Sequence, residues 1–378
     1  MTDEPRALPE SPDDLVPLPD QPDGVIWPTD DWPRADAAEL GGDGTRLDQL
    51  LDELLADDHP VFGRTFAAAV VVGGRLVGER YGRRPVQDLR ALEPDPPLDD
   101  VGADDHLLSW SMAKSLTSLA VGVAVGDGAL SIDQPVADPR WQDPGDPRGA
   151  ITWDDLLTMR PGLAWTEEYY DLGGDALPDV VTMLFGDGAA DMAGFAADKP
   201  LVREPGSSEA YVYSSGTTNI VAANLARVLG LDRDGMERFL RGRVLEPIGI
   251  DAADLRFDDA GTFIGSSYAY TTLRHWCRFG LLALRDGTWD GRRIVPAGWI
   301  DHGRLARSRE DEHKAHGAHW WSWAHPDGRF AAHGFEGQRV LCFPTRDVIC
   351  VRLGQSGPEA SQPLTDHLAS MAALFPER

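Results

Sequence analysis

The sequence predicts an α+β fold, in which helices flank one antiparallel sheet and a mainly helical lobe is inserted into it. Two runs of β-forming residues, 66–72 and 76–81, lie on either side of a two-glycine turn and are typical of a hairpin. Short strand-like runs return late in the chain, at 329–332, 339–343 and 348–353. The residues between them, about 105–255, have helical patterns and many loops. Both ends of the chain are therefore expected to build the same sheet.

Local patterns place the remaining elements in chain order. Residues 44–58 carry leucines at helical spacing, and residues 111–127 are predicted to form a buried helix that Gly128 stops. Further helices are predicted at 153–159, 216–229 and 364–374. Residues 344–347 contain a proline and an aspartate, which favour a turn between the last two strands.

The chain is predicted to contain an arm and one domain. Residues 1–43 are acidic, proline-rich and without periodicity, which indicates an extended arm that Trp27 and Trp32 would anchor on the body. Residues 44–378 would form the domain. Its sheet lobe would comprise about 44–100 and 256–378, and its helical lobe about 105–255.

Charge and composition exclude several classes of partner. The 378 residues carry a net charge of −27 at pH 7. Nucleic acids and anionic membranes bind basic surfaces, so we expect neither as a partner. No segment approaches the ~20 apolar residues of a membrane span, and the N-terminus lacks the basic start and apolar stretch of a signal peptide. These features predict a cytoplasmic protein, and they leave open whether it forms an oligomer.

Three cysteines, Cys277, Cys342 and Cys350, provide no disulfide framework. Cys342 and Cys350 could face each other across the last hairpin, but buried free thiols are the favoured interpretation. A metal site is a minor alternative, because His313, His316 and His319 recur every third residue. That spacing turns about 300° around a helix, so only a loop could bring the three imidazoles together. Polar loop histidines are the simpler interpretation.

The strongest chemical signal is Ser111 followed by Lys114 at the head of a predicted helix. A lysine three residues after a serine lies one helical turn away on the same face, within reach of the hydroxyl. In a dry pocket the amine loses its proton near neutral pH and can activate the serine. The chain has only three lysines, and a solvated lysine beside a capping serine is the alternative for this pair alone.

Two later motifs add candidate groups. Tyr213 and Ser215 lie on a turn that leads directly into a helix, which can aim a phenol and a hydroxyl into a cleft. A protonated lysine nearby would lower the pKa of Tyr213 and let it shuttle protons. Residues 332–338 form a glycine-rich segment at a strand edge, where backbone N–H groups could complete an oxyanion hole with the N–H of Ser111. A core tyrosine and a β-turn are the structural alternatives.

In this order and spacing, the three motifs resemble those of the serine β-lactamase and penicillin-binding-protein superfamily. The resemblance covers about residues 60–375 and implies a β-lactamase/transpeptidase-like fold. It is strongest to the class C-like branch, which includes family VIII esterases, D-amino-acid-releasing peptidases and 6-aminohexanoate-dimer hydrolases. The flanking stretches that also fit are 130–136, 151–163, 205–207 and 320–321.

The resemblance implies a role for each matching residue. Ser111 matches the nucleophile, Lys114 its activating base, and Tyr213 the tyrosine that relays protons to the leaving group. Ser215 stands where the lactamases usually have asparagine, and this serine is similar to the 6-aminohexanoate-dimer hydrolase branch. Tyr169 matches a tyrosine of that branch that contacts substrate. The expected function is therefore a serine hydrolase that cleaves small esters or amides through an acyl-enzyme, without a cofactor.

The third motif departs from the lactamase pattern. Lactamases have Lys-Thr-Gly or a similar triplet, whereas this chain has His333, Gly334 and Phe335. The missing cation would bind the carboxylate of a penicillin, and Glu336 would repel it, so β-lactam hydrolysis is not expected as the main activity. The backbone N–H of Phe335 or of Glu336 would complete the oxyanion hole.

Several other functions remain open at this point. Carboxylesterase activity, D-aminopeptidase-type activity with weak β-lactamase activity, and a non-catalytic ligand-binding homologue are the alternatives. A Gly-x-Ser-x-Gly elbow is absent from the sequence, which disfavours an α/β-hydrolase triad.

Overall fold

The computed structural model describes residues 7–57, 59–86, 96–169 and 177–378. The α-helices of these residues are α1 (Gly44–Leu54), α2 (Met112–Gly126), α3 (Trp153–Leu157), α4 (Asp179–Phe185), α5 (Met192–Ala197), α6 (Ser215–Val228), α7 (Arg233–Leu240), α8 (Leu273–Leu284), α9 (Trp299–Arg304) and α10 (Ser361–Ala372). The strands are β1 (Arg64–Val72), β2 (Arg75–Tyr81), β3 (Arg83–Pro85), β4 (Leu98–Asp100), β5 (Leu107–Leu108), β6 (Asp254–Leu255), β7 (Ala269–Thr271), β8 (Thr288–Trp289), β9 (Arg292–Arg293), β10 (Ser308–Arg309), β11 (Lys314–His316), β12 (Trp321–Trp323), β13 (Phe330–Gly334), β14 (Gln338–Phe343) and β15 (Val348–Gln355).

The central sheet has eight strands in the order β10-β11-β12-β13-β14-β15-β1-β2. All neighbouring strands are antiparallel, and the last strand of the chain pairs with the first. In that pairing Val70 lies opposite Cys350. This arrangement confirms the prediction that both ends of the chain build one sheet around a mainly helical middle.

Helices cover both faces of the sheet. Side chains of β1 alternate between two cores, as the two-residue period of a strand requires. Ala67, Ala69 and Val71 pack in the core that contains α2 and α8, and the intervening residues pack in the core that contains α1 and α10. The serine-bearing helix α2 is therefore held directly against the sheet.

The glycine turn between β1 and β2 is where the sequence placed it. Gly73 and Gly74 have φ of 55° and 74°, the left-handed conformation that a tight hairpin requires at both positions. The end of α1 differs from the prediction, because the helix stops at Leu54 once its buried leucines end. The last predicted residue of that helix, Asp58, lies outside the described residues.

The two cysteines of the last hairpin do not face each other. Cys350 lies opposite Leu341, and Cys342 lies opposite Ile349. This offset of one residue sends the two thiols to opposite faces of the sheet, into separate cores. All three cysteines are free and buried.

The N-terminal residues lie against the body of the protein. Trp32 is buried, and the ring of Trp27 lies 5.0 Å from that of Trp289. Residues 1–6 of the predicted arm and 87–95 of the predicted sheet lobe fall outside the described residues. The division into arm, sheet lobe and helical lobe stays a prediction. None of the described helices has the length and apolar character needed to cross a membrane.

Candidate active site

Ser111 lies at the start of α2, directly after a residue in an unusual conformation. Trp110 has a φ of 45°, which is uncommon for a bulky side chain and indicates local strain. The next helical turn places Lys114 on the same face, with its Nζ 2.8 Å from the Ser111 Oγ. The spacing therefore produces the contact that the sequence predicted.

Lys114 is enclosed by oxygen atoms and almost removed from water. Its side chain is 2% exposed, and its Nζ also lies 2.9 Å from the Ser215 Oγ and 3.0 Å from the Ser266 carbonyl oxygen. Burial lowers the pKa of Lys114 to about 8, and the negative charge of Glu167 opposes that change. The amine is thus partly neutral near neutral pH, as expected from a dry pocket.

Tyr213 packs beside the same amine, with its ring centre 4.9 Å from the Lys114 Nζ. Burial raises the pKa of Tyr213, whereas a hydrogen bond with Ser111 acts in the opposite direction. The prediction of a lowered pKa was wrong, because the free energy lost by removing a phenolate from water exceeds the stabilisation that these neighbours give it. Tyr213 is therefore a neutral phenol, and its ring lies 5.4 Å from that of Trp321.

Ser215 forms the first residue of α6 and faces Lys114. The preceding residue, Ser214, caps the helix by accepting a hydrogen bond from the Thr217 N–H. This cap fixes the start of α6. It leaves the Ser215 hydroxyl pointing into the site, where it donates to the Glu167 Oε1 at 2.5 Å.

Sequence reasoning missed Glu167. Its carboxylate accepts hydrogen bonds from Ser215, Trp165 and Tyr169. The residue lies two positions before Tyr169, which the resemblance already singled out, and that proximity was the available signal. No local pattern shows that this acid, rather than the adjacent Glu168, points inward.

Tyr169 is brought to the site by the same loop. Its hydroxyl lies 3.2 Å from the Glu167 Oε1, and its ring lies 4.5 Å from that of Phe335. It thus connects the Glu167 loop to the third motif. The residues that follow it, 170–176, lie outside the described residues.

The third motif runs along the segment that precedes the serine. A Cβ on Gly334 would lie 2.4 Å from the Ser109 carbonyl oxygen, so only glycine allows β13 to approach this closely. The ring of Phe335 packs edge-on against Trp110 at 5.5 Å. These contacts hold Gly334 and Phe335 against Ser109 and Trp110, the two residues that precede Ser111.

Glu336 and His333 have different surroundings. Glu336 has a φ of 57°, and its carboxylate accepts a hydrogen bond from the Gln355 Nε2 at 3.0 Å. His333 is half-buried, and its ring centre lies 6.0 Å from that of Trp321. Burial lowers the pKa of His333, so it does not replace the fixed cation of the lactamase motif.

A cavity of about 960 Å³ opens beside this group. Its lining includes Trp110 next to the serine, Tyr268, and Glu336 of the third motif. Cavities of this size accommodate small organic molecules. The cavity thus reaches Trp110, the residue before the serine, although Ser111 itself is not among its lining residues.

The histidine series does not converge on one point. His319 uses both ring nitrogens, with Nδ1 2.7 Å from the Leu157 carbonyl oxygen and Nε2 3.0 Å from the Thr218 hydroxyl. His316 is buried, with its ring centre 6.2 Å from that of His319, and His313 is exposed. Within the described ranges, no group of three or more His, Cys, Asp or Glu residues is arranged to hold a metal ion.

Comparison with known proteins gives matches over most of the sequence. The sequence model of the beta-lactamase family matches residues 47–373. The 6-aminohexanoate-dimer hydrolase of Paenarthrobacter ureafaciens is 25% identical over 349 residues, which cover 87% of this chain and 83% of that protein.

Solved structures show the same fold. A Bacillus anthracis protein described as a candidate 6-aminohexanoate-dimer hydrolase has a TM-score of 0.67 at 19% identity, covering 98% of this chain and 90% of its own. A family VIII carboxylesterase has a TM-score of 0.65 at 15% identity, covering 90% of this chain and 98% of its own. Since the family match spans most of the sequence, the chain belongs to the beta-lactamase family, a family of serine hydrolases.

Proposed function

We propose that this protein cleaves small ester or amide substrates through an acyl-enzyme, with Ser111 as the nucleophile and Lys114 as its base. The observation that carries the proposal is the 2.8 Å contact between the Lys114 Nζ and the Ser111 Oγ in a site that lowers the amine pKa to about 8. At pH 7 roughly a tenth of such amines are neutral, compared with fewer than about one in a thousand exposed lysines.

The reaction would begin when neutral Lys114 takes the Ser111 proton as the Oγ bonds to the substrate carbonyl carbon. The carbonyl electron pair moves to oxygen and forms an oxyanion. Its proposed donors are the backbone N–H of Ser111 and that of Phe335 or Glu336, aided by the positive end of α2. Among the described residues, the Ser111 N–H has no hydrogen-bond acceptor, so it is available for this task.

The leaving group would depart with a proton from Lys114, passed through the neutral phenol of Tyr213. The bond from the carbonyl carbon to the leaving nitrogen or oxygen then breaks. Water attacks the carbonyl carbon of the acyl-enzyme, and Lys114 takes a proton from that water. The bond from the carbonyl carbon to the Ser111 Oγ then breaks, Lys114 returns this proton to the Oγ, and the acid is released. The side chains suffice for each step, and we propose no cofactor.

For the substrate, we propose a small linear amide or ester, as in a 6-aminohexanoate-dimer hydrolase. The similarity to that enzyme and the serine at position 215 support the amide. The third motif supports a minor role at most for β-lactam hydrolysis, because His333 is uncharged. Carboxylesterase or D-aminopeptidase-type activity and a non-catalytic binder are the alternatives. A cytoplasmic location, an oligomer, and partners limited to such small molecules remain predictions.

The test compares wild type and Ser111→Ala on a short-chain nitrophenyl ester, with intact-mass detection of the acyl adduct. We expect a burst and an adduct in the wild type, and a rate at least about a thousandfold lower with no adduct in the variant. Ser131→Ala, which changes an exposed serine, is the matched control. Full activity in Ser111→Ala would refute the proposal. Absence of turnover and adduct in the wild type would favour the non-catalytic binder.

A further inference from the structure

The carboxylate of Glu167 is surrounded by hydrogen-bond donors. Its Oε1 accepts from the Ser215 Oγ at 2.5 Å and from the Tyr169 hydroxyl at 3.2 Å. Its Oε2 accepts from the Ser215 backbone N–H at 2.9 Å and from the Trp165 Nε1 at 2.6 Å. Four donors fill the four acceptor positions of a carboxylate. The site is therefore built for a side chain that only accepts.

This arrangement fixes the direction of the Ser215 hydroxyl. A serine has one proton to donate, and here that proton goes to Glu167. Toward the Lys114 Nζ, at 2.9 Å, Ser215 can then present only a lone pair. Glu167 thus converts Ser215 from a group that could donate or accept into one that only accepts from Lys114.

The consequence for Lys114 follows from counting its hydrogens. A neutral amine has two N–H bonds and one lone pair. One N–H is directed at the Ser266 carbonyl oxygen, which can only accept, and the other at Ser215. The remaining position, toward the Ser111 Oγ at 2.8 Å, receives the lone pair that must take the serine proton.

We propose that Glu167 is a positioning residue that acts through Ser215 to aim the lone pair of Lys114 at Ser111. The inference rests on the proposed function, because the aim of the lone pair matters only if Lys114 is the base. Glu167 touches none of the reacting atoms, so it is distinct from the catalytic groups.

Glu167 also acts on the pKa of Lys114 through its negative charge. The titratable side chains that face Lys114 or Glu167 in the described residues include Tyr169, Tyr213, His316 and His319. Burial raises the pKa of both tyrosines and lowers the pKa of both histidines, so all four are uncharged near neutral pH. The negative charge of Glu167 raises the pKa of Lys114 against the effect of burial.

Glu167→Gln is the informative substitution, because it keeps the shape and changes the donor pattern. The Oε2 position faces two N–H donors, so the amide oxygen is expected there. The amide NH₂ then faces Ser215 and reverses that hydrogen bond. The released Ser215 proton turns toward the Lys114 lone pair and competes with Ser111. The lost negative charge at the same time lowers the pKa of Lys114.

The first measurement is the pH dependence of kcat/KM on the nitrophenyl ester. In Glu167→Gln we expect the acid limb to move down by about one pH unit and the plateau to fall about tenfold, part of the 10²–10⁴ that a positioned base contributes. Glu168→Gln removes the same charge one residue along the loop and is expected to change neither. If the kcat/KM profile of Glu167→Gln has the same acid limb and the same plateau as that of the wild type, the inference is overturned.

A second variant separates positioning from support of the loop. In Ser215→Ala no hydroxyl remains to be reversed, so adding Glu167→Gln is expected to leave the plateau nearly unchanged. The same tenfold fall in both backgrounds would overturn the inference. Ser215→Ala alone should lower the plateau, and it should leave the acid limb nearly in place because the Glu167 charge remains. Circular dichroism verifies that each variant is folded.

The third measurement does not depend on turnover. With only three lysines in the chain, ¹³C-labelled lysine gives three NMR signals, and Lys114→Arg identifies the one from Lys114. We expect Glu167→Gln to lower the Lys114 pKa, and an unchanged pKa would overturn the inference. A wild type without Ser111-dependent turnover would refute the proposed function, while this titration would still decide the coupling between Glu167 and Lys114.

Discussion

Burial acts on two neighbouring groups of the site in chemically useful ways. It lowers the pKa of Lys114 to about 8 and raises the pKa of Tyr213. Both changes favour the uncharged form, because a low-dielectric site penalises whichever form carries charge. The amine thereby becomes able to accept a proton, and the phenol keeps one to pass on. A single physical cause thus supports two different roles in the proposed reaction.

At the residue scale we predict a pH profile governed by Lys114. Because only the neutral amine accepts a proton, kcat/KM on an ester should rise about tenfold per pH unit below about 8 and level off above it. Lys114→Arg should be inactive at every pH tested, since a guanidinium stays protonated. Lys199→Arg is the matched control and should keep the wild-type profile. A rate that is flat between pH 6 and 9 would contradict the assignment.

The sequence predicted part of this site and missed another part for identifiable reasons. The contact between Ser111 and Lys114 follows from helical spacing, so it was predictable. The bond between Ser215 and Glu167 joins residues 48 positions apart and depends on how two segments pack. The predicted direction of the Tyr213 pKa change was wrong for a similar reason. A local sequence pattern does not show how deeply a side chain is buried.

At the scale of elements, β13 closely approaches the segment before α2, and in the proposed reaction this contact would set the distance between the two N–H groups of the oxyanion site. Gly334 lies against the carbonyl group of Ser109. Ser109 is two residues before the proposed nucleophile, and Gly334 is one residue before Phe335. The backbone of the strand therefore lies directly against the backbone that leads into the helix, with no side chain between them. A shift in one would change the distance between the two proposed N–H donors.

We predict that Gly334→Ala impairs activity more than stability. Its Cβ would meet the Ser109 oxygen at 2.4 Å, and backbone must move to relieve that contact. We expect kcat to fall about tenfold or more, and the free energy of unfolding to fall by about 1–3 kcal/mol. Gly242→Ala, where the nearest atom within reach is 3.9 Å away, should change neither. Wild-type kcat in Gly334→Ala would show that the contact does not set the site.

Prediction of the elements succeeded where the signal is local. Gly73 and Gly74 specify their turn by conformation alone, and Gly128, with a φ of 71°, follows the end of α2. The relation between Cys342 and Cys350 was beyond reach, because a register offset of one residue decides which face each thiol enters. Such an offset is set by the whole sheet, not by the hairpin that carries it.

At the scale of the whole molecule, the net charge of −27 is the dominant electrostatic feature. Ion pairs between arginines and acids offset it locally, but exposed pairs contribute only about 0–1 kcal/mol each. The uncompensated acids repel one another over the surface and oppose the compact state. Dissolved salt screens that repulsion, with a Debye length of about 8 Å at 0.15 M.

We therefore predict that the protein becomes more stable as salt is added. Tm should rise between 10 mM and 500 mM NaCl, because screening weakens the excess repulsion more than it weakens the scattered surface pairs. Differential scanning calorimetry at fixed pH provides the measurement, and KCl should give the same increase if screening is the cause. A Tm that falls with both salts would show that the ion pairs outweigh the net charge.

The pairing of β1 with β15 has a consequence for how the protein is made. While the chain grows on the ribosome, β1 and the apolar helix α2 emerge long before residues 348–355, which form β15 between β1 and β14 and so complete the sheet. Until then β2 is the partner that β1 has, and α2 lacks part of the surface that later covers it. Ser111 is therefore synthesised well before the fold that forms the proposed site is complete. Hydrolytic activity should therefore appear only after the C-terminal strands leave the ribosome.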